Sequence, residues 1–257
     1  MSGNTQNKIG IISAHRAPAL AVAALALAAC LHHAGAAVLT ASINAEYNGG
    51  SSTASGDRGR SLVGLAGFGT APLNVVQSFQ LPTLDPGVQF GSVTYSVPVS
   101  DFSFGSNQGI QVDLYALPPG STAAPSFADG YYIGSTPDTT NATLIASNFI
   151  TPAATSVGGV VTLTDSSAAL LDYLNAAYAG GSGAGSYVYL RLSPQSLPSS
   201  DGGYDIYSNN TGGRSEGGAD TSAVPTLTYT TALVPEPAVA GLPIVACGLL
   251  ATRRRRT

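Results

Sequence analysis

Histidine, cysteine, lysine, methionine and tryptophan are all missing from residues 38–234. The chain's three histidines (His15, His32, His33) and two cysteines (Cys30, Cys247) lie outside that stretch. Without imidazole the stretch cannot build a Ser-His-Asp triad, and without imidazole or thiol it offers no zinc or copper site of the usual kind. A cysteine nucleophile and lysine Schiff-base chemistry are excluded as well. Charge is scarce too. Only 9% of the 257 residues are Asp, Glu, Lys or Arg, against about 25% in an ordinary soluble domain. Basic charge is scarcest: Arg58, Arg60, Arg191 and Arg214 stand against thirteen acids, so residues 38–234 carry a net charge of −9. Such a body has no basic face to neutralise phosphates, which argues against a nucleic-acid partner. The glycine-rich run 64–69 (GLAGFG) has no helix pattern after it and no nearby lysine, so it reads as a loop, not a phosphate cradle.

What is present divides the chain into three segments, 1–37, 38–232 and 233–257. At the N-terminus, Lys8 and Arg16 precede an uncharged run at 18–29 (PALAVAALALAA), and Ala34-Gly35-Ala36 follows as a small-x-small site. This order predicts a secretory signal peptide, cleaved by a leader peptidase after Ala36 or Ala37. Two rivals stand beside it: a buried helix, and lipoprotein processing at Cys30, since Leu27-Ala28-Ala29-Cys30 resembles a lipobox.

At the C-terminus, Pro235-Glu236-Pro237 precedes a 14-residue uncharged run, 238–251, and then Arg253, Arg254, Arg255 and Arg256. The run is shorter than the ~20 residues of a comfortable span and is interrupted by Pro243. It would insert marginally, with the arginines as a cytoplasmic stop. These three parts in order resemble the PEP-CTERM sorting signal. The resemblance covers 234–257 and implies an exosortase-type protease acting near Pro235, Glu236 and Pro237. It further implies transient membrane insertion, a final place at the cell surface or in the extracellular matrix, and a link to exopolysaccharide and biofilm. The rival reading is a plain tail anchor.

Between the signals, period-2 patterning in short runs predicts strands at 38–47, 74–81, 90–97, 111–117, 131–134, 143–150, 159–164, 186–193, 204–208 and 225–231. Glycine pairs at 158–159, 202–203 and 217–218 punctuate them. One helix is predicted over 166–179, capped from Asp165-Ser166-Ser167, with Leu170, Leu171, Leu174, Ala177 and Tyr178 on one face and Gly180 as its stop. The expected fold is all-β: an antiparallel β-sandwich, of jelly-roll type, with one short helix. The order strand, helix, strand, then Ile206-Tyr207-Ser208 and a proline-led last strand from Pro225 resembles the jelly-roll modules of surface proteins called DNRLRE or CBM96-like. That resemblance implies the fold and carbohydrate contact, and it transfers no binding residue.

The function expected is therefore non-catalytic display at the surface or in the matrix, with no catalytic residue. The alternative is a carbohydrate-binding module. Its site is placed on the polar face of one strand, Tyr187, Tyr189 and Arg191 opposite Val188, Leu190 and Leu192, with Tyr204, Asp205 and Asn209 beside it. The competing expectation is that Tyr187 and Tyr189 are core residues. Calcium would find oxygens at Asp201, Asp205, Asn209, Asn210, Glu216 and Asp220, but no calcium motif is present, so no cofactor is expected. A glycosidase using carboxylates such as Asp201 and Asp205 is a further alternative.

Overall fold

Among the described residues, strand pairing is antiparallel throughout, and one α-helix interrupts it. A computed structural model describes residues 35–48, 54–57, 60–65, 72–101, 107–124, 132–133, 136–137, 139–155, 159–196, 201–208 and 224–234. The predicted signal peptide up to residue 34, the sorting motif Pro235-Glu236-Pro237 and Arg253–Arg256 lie outside the described residues. The strands are β1 (Ala37–Thr40), β2 (Ile43–Asn48), β3 (Ala54–Asp57), β4 (Arg60–Leu65), β5 (Pro72–Gln80), β6 (Val88–Asp101), β7 (Val112–Gly120), β8 (Tyr132–Ile133), β9 (Thr136–Pro137), β10 (Thr143–Ile150), β11 (Val161–Asp165), β12 (Tyr187–Pro194), β13 (Gly202–Tyr207) and β14 (Thr226–Leu233); helix α1 (Ala168–Tyr178) joins β11 to β12.

The main sheet runs β1-β14-β6-β13-β4-β5-β12-β7-β10, with β11 on β6, β2 on β5 and β3 on β2, while β8 and β9 form a separate pair. The sheet curls until its two halves face each other. Tyr95 of β6 meets Phe79 of β5 edge-on at 6.2 Å and Phe149 of β10 at 5.6 Å, and none of these strands is a hydrogen-bonded neighbour of β6. Val75, Phe79, Val97, Val99, Leu114, Val188, Leu190, Leu192, Ile206 and Leu227 fill the space between the halves. The expected class, antiparallel and all-β with one short helix, is what the structure shows.

Helix α1 follows from its sequence. Ser167 caps it, its Oγ accepting from the Leu170 N–H, and Asp165 Oδ2 in turn accepts from the Ser167 hydroxyl at 2.8 Å. Leu170, Leu174 and Tyr178, spaced by four, are buried. The helix also stitches the two halves together. Asn175 accepts from the Phe90 N–H and donates to the Phe90 carbonyl of β6. The Tyr173 hydroxyl donates to the Leu117 carbonyl of β7 and accepts from the Tyr189 N–H of β12, where the β12–β7 register slips between Tyr187 and Tyr189.

Three expectations need correction. The run 38–47 is two strands: after Thr40 the chain leaves β14 for β5, with Ala41 N–H bound to the Pro225 carbonyl and Ser42 N–H to that of Ser78. Alternation alone cannot register a change of partner. Gly64 and Leu65, read as a loop, belong to β4, and Gly202-Gly203, read as punctuation, open β13. Gly64 and Gly203 face each other with φ of 143° and 148°, and a Cβ on either would drive into the facing backbone carbonyl, so these strand positions demand glycine. Finally, β6 runs past its expected end at Val97, because Pro98 sits within the strand, paired with Thr162 of β11.

Candidate functional site

The outward face of β5, β12 and β7 carries the predicted polar face of β12 and extends it. With Val188, Leu190 and Leu192 in the core, Tyr187, Tyr189, Arg191 and Ser193 turn outward. Register then aligns three rows across four strands. One row is Ile43 of β2, Ser78 of β5, Tyr189 of β12 and Leu117 of β7; the next is Ala45, Val76, Arg191 and Tyr115. The third is Tyr47, Asn74, Ser193 and Asp113, with Ser193 following the Leu192–Val75 pair to lie beside Asn74. Side chains opposite each other in such rows stand about 5 Å apart at Cβ.

This face is buried. Tyr47, Asn74, Ser78 and Ser193 are fully covered, and Tyr189 and Arg191 each keep 3% exposure. Tyr187 is half-buried, and Gln80 opposite it on β5 is exposed. The face is thus open at its Tyr187 end and closed toward Ser193. Of the competing expectations for the two rings, Tyr189 is a packed residue, grouped with Ala45, Tyr47, Val76 and Leu117, while Tyr187 lies at the edge of that cluster.

The Arg191 guanidinium lies over the Tyr115 ring, 5.0 Å from its centre. The Tyr115 hydroxyl donates to Asp113 Oδ2 at 3.2 Å. Asp113 Oδ1 accepts from Gln195 Nε2 at 2.6 Å and from the Asn148 N–H at 2.8 Å. Asn148 reaches that position because β10 bulges there, holding it at φ 54°, a conformation Asn tolerates. The Tyr189 hydroxyl donates to the carbonyl of Thr122 at 2.5 Å. Burial, then the Tyr189 hydroxyl, pushes the Tyr47 phenol up to about 12. Burial is also the main cause raising Tyr115, with Asp113 adding and Arg191 opposing. These phenols are therefore neutral donors at physiological pH.

Against this, Asn74 is left with neither its amide nitrogen nor its carbonyl oxygen bonded, and the hydroxyls of Ser78 and Ser193 also have no partner.

The structure separates the other predicted residues from this face. Tyr204 points into the core, its hydroxyl on the Ile110 carbonyl at 2.6 Å, and Asp205 is buried on the opposite side of β13, beyond β4 and β5 from β12. Asn209, Asn210, Glu216 and Asp220 lie outside the described residues. Asp201 is exposed just before β13. Among the described residues, no group of three or more His, Cys, Asp or Glu is arranged to hold a metal ion. Likewise no helix among them is long and apolar enough to cross a membrane. Ala36 is exposed immediately before β1, and Ala37 is its first residue. Asn74, Ser78, Asp113, Tyr115 and Ser193 were not foreseen. The alternations Asp113-x-Tyr115 and Arg191-x-Ser193 carry the signal, but only strand register brings them together.

Comparison with protein-family models and with curated proteins finds no match to this chain.

Proposed function

We propose that the protein is exported, sorted by an exosortase-type protease and displayed without catalytic activity at the cell surface or in an exopolysaccharide matrix. One structural observation supports this reading beyond the two end signals. The first and last strands of the body pair directly, Ala37 opposite Tyr229 through Thr40 opposite Thr226. Both cleavage regions thus adjoin one sheet edge: Ala36 lies just before β1, and Val234, whose N–H bonds to the Gly87 carbonyl, lies just before Pro235. Removing both end segments would leave the β1–β14 pairing almost untouched. Its partners on this reading are the export machinery, a leader peptidase and the sorting protease. Intact-mass measurement of surface material from the native host tests it. The expected mass lacks both the leader and the arginine tail; a mature form still carrying Arg253–Arg256 would reject sorting.

A second reading, a carbohydrate-binding body, is favoured by the covered polar face of β5, β12 and β7 with its tyrosines and Arg191. A glycan array with and without EDTA tests it and the calcium question together. Saturable binding supports the module, and EDTA sensitivity assigns calcium a part.

A further inference from the structure

We propose that Asn74 and Ser193, neighbours across β5 and β12, form the floor of a subsite for a neutral saccharide unit, with Ser78 four residues along β5 toward its open end. This rests on the second reading above, that the body binds carbohydrate. Four polar atoms on these three side chains are fully buried without a hydrogen-bond partner: both ends of the Asn74 amide and the two serine hydroxyls. A buried group left in that state costs about 1–3 kcal/mol. The neighbouring Ala45 and Val76 show that small apolar residues fit the same face. Elsewhere in the fold, the fully buried amides of Gln77 and Asn44 bond each other.

The chemistry of the orphaned set selects the guest. The Asn74 amide offers one acceptor and a donor pair in a fixed plane, and a serine hydroxyl can take either role. Adjacent hydroxyls on a sugar ring present a matching acceptor and donor. Tyr189 and Tyr47 supply ring surface in the flanking positions for the apolar face of such a ring. Charge selects further. Arg191 and Asp113 balance locally, while residues 38–234 carry −9 overall, so an anionic polymer is repelled where a neutral one is not. Access is from the end where Gln80 and Thr122 are exposed and Tyr187 is half-buried; there the Tyr189–Thr122 bond must give way.

The test is affinity electrophoresis of the full-length protein through gels containing dextran, galactomannan or alginate, with parallel thermal melts. The wild type should be retarded by a neutral polymer and not by alginate at low salt. Asn74→Leu and Ser193→Ala should each weaken retardation at least tenfold while leaving Tm unchanged or higher, since neither removes a bond from the free protein. Should Asn74→Leu fail to fold, Ser193→Ala, which removes one oxygen, carries the test alone. Wild-type retardation with equal retardation of the variants overturns the subsite and spares the carbohydrate reading. No retardation of the wild type by any neutral gel overturns both. Retardation by alginate alone overturns the choice of a neutral guest.

Discussion

The two faces of β5 bury polar side chains in opposite ways. Inward, Gln77 accepts from the Tyr95 hydroxyl at 2.5 Å and donates to Asn44 Oδ1 at 3.1 Å, while Asn44 Nδ2 reaches Ser61 Oγ and the Ile206 carbonyl, and Ser61 Oγ donates back to the Asn44 carbonyl. Glu46 extends the network by accepting the Leu62 N–H at 2.9 Å. These residues bridge the place where β2 and β4 share one edge of β5, so they supply in side chains the bonds the backbone ladder cannot make there. Outward, Asn74 and Ser78 of the same strand are as deeply buried and have nothing to bond. Burial of a polar group is thus uninformative by itself. A satisfied network holds the fold together, whereas an unsatisfied set costs stability in the free protein and, on the proposal above, recovers it when a guest binds.

Breaking the inward network should have the largest effect. Gln77→Leu keeps the volume but strips Tyr95 of its acceptor and Asn44 of a donor. A loss of about 3 kcal/mol is expected from two groups stranded in the core, read from the urea midpoint at unchanged m-value. A loss below about 1 kcal/mol would mean that the network is not what joins β2, β4 and β5.

Asp113 is the partnered end of the outward row and should come next. Asp113→Ala removes the acceptor of Gln195, Asn148 N–H and the Tyr115 hydroxyl. The cost should be about 2 kcal/mol, because exposed Asn148 and half-buried Gln195 can regain water while the buried Tyr115 hydroxyl cannot. Hydrogen exchange at Asn148 should accelerate in the variant, and unchanged exchange there would show that the β10 bulge is held by other means.

Alkaline pH tests burial on both faces at once. An unfolded tyrosine ionises near 10, while burial pushes Tyr47 up to about 12 and Tyr95 well above its ordinary value. Between about pH 10 and 12 the unfolded chain releases protons that the folded chain keeps, so stability present below pH 10 is lost as pH rises. Urea midpoints across that range should fall. Tyr95→Phe should flatten the fall and also lower stability at pH 7, by removing the bond to Gln77. Midpoints that stay level to pH 12 would contradict the burial of these phenols.

Much of this architecture was legible in one dimension. The alternation of β12, the cap at Ser167, the four-residue spacing of Leu170, Leu174 and Tyr178 and the strand at Thr143–Ile150 are local patterns with local causes. What escaped depends on pairs of distant strands. The Gly64–Gly203 contact makes two apparent breakers into strand residues, because each glycine is required by the other's backbone. The corner at Ala41-Ser42 is invisible because alternation continues while the partner changes. The outward row shows the same limit. Tyr189-x-Arg191 was found because it lies on one strand, while Asn74, Ser193 and Asp113 needed the register of three. Tyr204 and Asp205 went astray for the complementary reason: their nearness to β12 was inferred from chain order, but β4 and β5 lie between.

The smallest expected effect sharpens the comparison most, because it uses one chemical change on both faces. Ser61 and Ser78 are both fully buried strand serines. Ser61 donates to the Asn44 carbonyl and accepts from the Asn44 amide, whereas the Ser78 hydroxyl has no partner. Serine to alanine deletes one oxygen and leaves little cavity in either place. Ser61→Ala should cost about 1–2 kcal/mol, since it removes two bonds and leaves Asn44 short of one acceptor. Ser78→Ala should cost nothing and can gain up to about 1 kcal/mol, because it removes a hydroxyl desolvated without compensation. Paired urea melts at pH 7 read the difference directly. Equal losses would mean that Ser78 bonds something in solution when the protein is free, most simply a buried water, and the contrast between the two faces of β5 would then be one of solvent rather than of vacancy for a ligand.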